Sequence, residues 1–248
     1  MTQPLKKPIH ERVISKVFLL LMLIGETLIW KTSRTSKQPF FKTDSFEWVP
    51  LLEKNWQVIR SELDKVLMER DNIPAFHKIS SEQEALGTDN GWKVFIFYVF
   101  GHSAQENCDQ CPKTSALLKH IPGLRNAMFS ILEPQRSIPI HRGPYKGLLR
   151  YHLGLKIPRD KGNLSITVKD ETQSWCEGKT LILDDSFPHF VTNNSNQERV
   201  ILFADFIRPL PWPISWYNHF IISLLKLSPL AKEALTRIKE NKIHVEPK

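Results

Sequence analysis

The sequence predicts a mainly β domain with flanking helices, of sandwich or jelly-roll type. Short β-rich runs follow one another from Ala127 to Ile207, turn residues punctuate them, and no helical crossovers alternate with them. A doubly wound parallel sheet would need that alternation. At 41% hydrophobic and 24% charged over 248 residues the composition is globular. It excludes a disordered chain, a collagen-like chain and a polytopic membrane protein. Three Cys cannot all pair within the chain, which disfavours a disulfide scaffold. A formal charge of +8 favours anionic partners such as phosphate, lipid headgroups or nucleic acid. Nucleic acid is the weakest of these, because the basic residues are dispersed rather than gathered in a stripe.

Residues 1–40 read as an apolar and basic N-terminal segment. Val17 to Ile24 is unbroken apolar sequence and continues through Gly25, Glu26 and Thr27 to Leu28, Ile29 and Trp30. Lys6, Lys7, Arg12 and Lys16 precede it, and Lys31, Arg34 and Lys37 follow. A membrane span needs about 20 mostly apolar residues, and this run is short and carries Glu26. No Ala-x-Ala-like site marks a cleavable signal. Two readings stand: contact with a membrane as an anchor or interfacial helix, or a helix packed on the domain. The expected localisation is membrane-associated on the first reading and cytoplasmic on the second.

Leu52, Trp56, Ile59, Leu63, Val66 and Leu67 recur at helical spacing and predict one helix from Pro50 to about Arg70. Lys93 to Phe100 is β-branched and aromatic and predicts a buried strand. Pro112 to His120 predicts a short helix. Strands are expected at Ala127–Leu132, Leu148–Leu155, Asn163–Lys169, Thr180–Asp184 and Glu198–Ile207. Beyond Pro209 an aromatic helix runs through Ile214, Tyr217, Ile221 and Leu225, is interrupted at Pro229, and gives way to a charged helix from Ala231 to Asn241. The aromatic helix is expected to cap the open end of the barrel, with a membrane-facing role as the alternative. The division is therefore 1–40, a domain at 41–211, and C-terminal helices at 212–248.

No phosphate loop, nucleophile elbow or H-E-x-x-H motif occurs. Cys108 and Cys111 form a lone C-x-x-C without a second pair or a zinc-spaced His, so a structural or mildly redox-active role is expected. The histidines carry more. His141 is placed in a loop, Pro139 to Pro144, and His189 just past the strand ending at Asp184. A jelly roll gathers such loops at one mouth, where neutral imidazoles suit Fe(II), Zn or Cu. In Leu148 to His152, Arg150 and His152 share a face, and Arg199 shares one with Ile201 and Phe203. If those faces point inward, two guanidinium groups are buried, which is costly without an anion. A dicarboxylic acid would answer both. A Zn hydrolase or isomerase built on His141, His152 and His189, and a catalytically silent binding module, are the alternatives.

His141-Arg142-Gly143, Arg150-Tyr151-His152, Asp184-Asp185-Ser186-Phe187-Pro188-His189 and then Arg199 strongly resemble the aspartyl/asparaginyl β-hydroxylase family. The resemblance spans roughly Phe46 to Pro211. It implies a double-stranded β-helix (a cupin-like jelly roll) and a dioxygenase using Fe(II), 2-oxoglutarate as co-substrate, and O2. It implies that His141 and His189 are the metal ligands and, with Arg150, the catalytic residues. It further implies that Arg150 and His152 hold one carboxylate of 2-oxoglutarate while Ser130 and Arg199 hold the other. Gly143 stands where most 2-oxoglutarate oxygenases carry a carboxylate ligand; the resemblance implies its absence here too, with Asp184 and Asp185 ordering the surroundings. The substrate implied is a protein Asp/Asn side chain or a lipid acyl chain. Arg142 and Lys146 are candidate cations at the mouth.

Overall fold

The computed structural model describes residues 9–33, 35–79 and 90–240. Lys6, Lys7 and Arg34, read above as flanking cations, lie outside the described residues, as does Asn241. The strands are β1 (Phe40–Phe41), β2 (Trp92–Val99), β3 (His102–Ser103), β4 (Leu124–Leu132), β5 (Arg136–His141), β6 (Leu148–Lys156), β7 (Leu164–Val168), β8 (Glu171–Gln173), β9 (Thr180–Leu183), β10 (His189–Asn193) and β11 (Arg199–Ile207). The helices are α1 (Ile9–Thr32), α2 (Val49–Lys54), α3 (Trp56–Val66), α4 (Phe76–Ile79), α5 (Gln105–Gln110), α6 (Pro112–Leu118), α7 (Ile214–Lys226) and α8 (Pro229–Glu240).

Two sheets form, in the orders β1-β9-β6-β11-β4-β2-β3 and β5-β10-β7-β8. Every pairing in them is antiparallel. From β4 to β11 the chain crosses from one sheet to the other at each step except the β7–β8 hairpin. That winding is the double-stranded β-helix.

β11 shows how the sequence specifies it. All nine of its residues are buried, so it is a central strand covered on both faces. Val200, Leu202, Ala204 and Phe206 face outward into a core shared with Ile59, Leu63 and Val66 of α3. Ile201 and Phe203 face the space between the sheets, with Val94, Met128, Ile166, Val191 and Trp175. Each large side chain buried this way contributes about 1.5–3 kcal/mol. Arg199 and Asp205 share the inward parity of Ile201 and Phe203 and thus point between the sheets as well.

The helix expected from Pro50 to Arg70 is two helices and a 3-10 turn, broken at Asn55. There the backbone leaves helical geometry (φ −101°, ψ 12°), and the side-chain amide donates to the Leu51 carbonyl at 2.8 Å. Glu62 of α3 accepts from the Lys113 and Thr114 backbone N–H groups and from the Thr114 hydroxyl, which caps α6 and ties the two helices together. Pro229 opens the last helix rather than merely interrupting the previous one. Cys108 lies on α5, a helix not foreseen, where its thiol donates to the Phe97 carbonyl. Burial pushes both the Cys108 and the Cys111 thiols up, which fits the structural role read from the sequence.

α1 packs along α7, where Phe18, Leu21, Met22 and Ile29 meet Tyr145, Leu148, Ile207, Ile221 and Ile222. Gly25 lets the helix approach the Tyr145 ring, and a Cβ there would strike its hydroxyl. Among the described residues no helix is long and apolar enough to cross a membrane.

Candidate active site

His141 is the last residue of β5 and His189 the first of β10, and the two are direct partners in the antiparallel ladder. Both were expected in or beside loops; instead, strand pairing fixes them. Their ring centroids are 4.1 Å apart. Each Nδ1 lies within hydrogen-bond reach of the carbonyl two residues earlier: His141 to Pro139 at 2.8 Å, His189 to Phe187 at 2.9 Å. A carbonyl only accepts, so each Nδ1 carries the proton and each Nε2 keeps its lone pair. Burial pushes the pKa of both rings down, that of His189 to about 3, with Arg150 adding to the effect. Two neutral, oriented imidazoles face each other at neutral pH.

Arg199, which points between the sheets, is only 1% exposed. Its polar contact is the Ser130 hydroxyl, 3.5 Å from a guanidinium nitrogen, and the Trp175 ring lies 5.0 Å away. Among the described residues no carboxylate pairs with it, and its Nε is buried without a partner. Burial alone lowers its pKa to about 9. A guanidinium left so costs several kcal/mol, on the order expected for an unpaired buried ion. Trp92 donates to Ser130 at 3.0 Å, which orients that hydroxyl toward the same space.

Arg150 differs. The sequence reading gave it the same need for an outside anion, but two of the protein's own carboxylates meet it. Asp185 is 2.7 Å and Asp205 2.9 Å from its nitrogens. Asp205 is its ladder partner on β11. These charges outweigh burial and raise the Arg150 pKa. The demand for an external anion therefore falls on Arg199. His152 is buried, accepts a 3.3 Å hydrogen bond from the Trp175 indole, and packs 5.5 Å from Phe203. Burial, reinforced by Arg150 and Arg199, pushes its pKa well down.

Gly143 donates its N–H to the Asp185 carbonyl at 2.7 Å, and a Cβ on it would collide with the Asp185 carboxylate. Asp185 thus fills the space a side chain at 143 would occupy. Its Oδ1 is buried without a partner, and burial pushes its carboxyl up. Asp184 instead accepts from Lys146, Arg208 and the Ser186 hydroxyl, which closes the loop into β10. Lys146, read as a mouth cation, is thereby spent inside the protein. Arg142 pairs with Glu26 of α1 at 3.1 Å.

Among the described residues no set of three His, Cys, Asp or Glu side chains is arranged to hold a metal. That removes the three-histidine zinc site built on His141, His152 and His189. The residues do suit a metal held by two imidazoles together with a chelating acid. The Nε2 lone pairs of the two adjacent rings would supply the first part, and Arg199 would receive the far end of the second. Chain neighbours of the pair, Arg142 after His141 and Ser186 and Phe187 before His189, line a cavity of about 330 Å³ together with Lys146 and with Glu26, Thr27 and Trp30 of α1. α1 supplies one wall of this cavity.

The aspartyl/asparaginyl β-hydroxylase family pattern matches residues 53–209. The chain belongs to that family. It is 38% identical to an ornithine lipid ester-linked acyl 2-hydroxylase of Rhizobium tropici, over 96% of this chain and 83% of that protein. It is 33% identical to an aspartyl/asparaginyl β-hydroxylase of Mus musculus, over 75% of this chain, which spans 25% of that longer protein. An aspartate β-hydroxylase domain-containing protein 2 of Xenopus tropicalis is 34% identical over 69% of this chain and 47% of its own length. Within this hydroxylase family, reasoning from the sequence missed Asp205, Trp92 and Trp175. Asp205 was findable, because it repeats the parity of Arg199, Ile201 and Phe203. The two tryptophans carry no local signal, since their roles arise only when the strands pair.

Proposed function

We propose that the chain is an Fe(II)- and 2-oxoglutarate-dependent dioxygenase that hydroxylates an unactivated C–H on the acyl chain of a polar lipid. The observation that carries the chemistry is Arg199, a buried guanidinium with no carboxylate paired to it among the described residues, in a barrel that also pairs two neutral histidines. In this reading His141 and His189 hold iron through Nε2. Arg199 and Ser130 take the distal carboxylate of 2-oxoglutarate, and Arg150 and His152 flank its other end. Bound iron and 2-oxoglutarate would supply the oxidising power, which no side chain here possesses. The protein orients, excludes water and places charge. Asp185 and Asp205 hold Arg150 in place, and Trp175 fixes His152 in the tautomer whose Nδ1 accepts.

The lipid substrate is supported by the relative that matches almost the whole chain, α1 and α7 included, whereas the mouse hydroxylase matches three quarters of it. A protein Asp/Asn side chain is the second reading, favoured by the family itself.

Anaerobic addition of Fe(II) and 2-oxoglutarate to the purified chain should produce a visible metal-to-ligand absorption band that needs both. It should vanish in His141→Ala and weaken in Arg199→Ala. Folded protein without a band sinks the chemistry. With the band in hand, 2-oxoglutarate turnover stimulated by aminoacyl or phospho-lipids, and not by Asp/Asn peptides, supports the lipid reading. The reverse pattern replaces it with the peptide one.

A further inference from the structure

α1 is apolar on both sides. Its inner row, Phe18, Met22, Gly25 and Ile29, packs on α7 and Tyr145. On the solvent side Leu20 (57% exposed), Ile24 and Leu28 form a second row, and Leu19 and Leu23 a third. A helix apolar around its circumference is one that something covers on every side, and a patch of this kind marks an interaction surface. The neighbouring α7 continues the pattern. Trp212 (82% exposed), Trp216 (68%) and Phe220 stand in solvent, and Trp216 stacks on Phe220.

Exposed cations border the two helices: Lys16, Lys31 and Lys37 at the ends of α1, and Lys226 at the end of α7. Among the side chains described on these elements the acid is Glu26, which is already engaged with Arg142 and the Lys146 N–H. Apolar rows, exposed indoles and a basic border are the composition of a helix lying in the headgroup zone of a bilayer. Crossing is not available to it.

We propose that the outer faces of α1 and α7 dock on the surface of a bilayer containing anionic phospholipid, with their apolar rows in the interfacial layer. Trp30 links this face to the site. It is partly exposed, lines the cavity that Arg142 and Phe187 also line, and meets Phe187, two residues before His189, edge-on at 6.3 Å. Docking in this way puts the cavity mouth at the level where a lipid can present its acyl chain without leaving the membrane. The proposal deepens the lipid reading above, but docking itself requires neither iron nor turnover.

The test is co-sedimentation of the full chain with phosphatidylglycerol-containing vesicles and with phosphatidylcholine alone, beside Leu20→Glu/Ile24→Glu and Arg199→Ala. The wild type should bind the anionic vesicles and lose only part of that binding in high salt. The double variant should melt like the wild type and bind roughly tenfold or more weakly, as expected for losing two inserted apolar side chains. Lipids brominated near the headgroup should quench tryptophan emission, less so in Trp216→Phe. Arg199→Ala should dock normally, which separates docking from the proposed chemistry. No vesicle binding, equal binding by the double variant, or complete release by salt overturns the proposal. So does a wild-type dimer in solution that the double variant dissolves, because a second copy would then cover the face.

Discussion

Arg199 concentrates the physics of the site in one side chain. It is held at 1% exposure with no carboxylate paired to it among the described residues, and burial, which disfavours its charge, lowers its pKa. A dicarboxylate restores what burial removed. Arg199→Ala should weaken 2-oxoglutarate binding by about 2–5 kcal/mol, thirtyfold or more, measured by titration calorimetry with Mn(II) in place of iron. Arg199→Lys keeps a charge but not the two parallel hydrogen bonds, and should recover only part of the loss. The sequence displayed this residue clearly, as a cation inside an apolar run. It displayed Arg150 in the same way and misled there, because nothing local says that Asp205 and Asp185 will arrive from other elements.

At the scale of elements, the decisive pair is β5 and β10. Neither was foreseen as a strand. β5 holds Pro139 and is largely exposed, which reads as loop. Proline is nevertheless tolerated at a sheet edge, and β5 is the edge of its sheet. The long strands β4, β6 and β11 were legible because burial on both faces writes a continuous apolar run. The helix break at Asn55 was not, since periodicity continues across it while one side-chain hydrogen bond does not. The turn after β5 carries its own prediction. Gly143 is needed because the Asp185 carboxylate occupies the place of its Cβ. Gly143→Ala should cost about 1–3 kcal/mol by overpacking, a fall of about 2–4 °C in Tm per kcal/mol for a chain of this size. It should also disturb the Arg150–Asp185 pair. An unchanged melt would mean that the turn can move aside.

For the whole molecule, the buried histidines link the site to stability. His141, His152 and His189 all have pKa values pushed below 6.5 by burial. Between 6.5 and about 3, where His189 titrates in the fold, the unfolded chain binds protons that the folded one refuses. Their contribution is complete above 6.5 and is lost as pH falls. Glu198, whose pKa is held down by Lys156 and Arg70 against burial, adds a loss in the same direction at lower pH. Asp185, pushed above 3.8, acts oppositely but is one group against three. The Tm should drop progressively from pH 7 to pH 5, and a Tm that rises over that range would contradict the burial of these rings. The double-stranded β-helix and its histidine motif were legible in the sequence because both are periodic or local. The place of α1 was not, because a row of apolar residues does not say which side it turns to the barrel and which it leaves outside.

The ladder pairing of His141 with His189 also has a consequence in time. The two belong to strands distant in the chain, with β6 to β9 folded between them. Contacts of such long sequence separation form late, after loop closure has been met by the rest of the barrel. The pair is therefore complete only when the second sheet has closed. In a refolding experiment, capture of a divalent ion by these two rings would serve as a clock for that last event, lagging the rise of strand signal rather than tracking it.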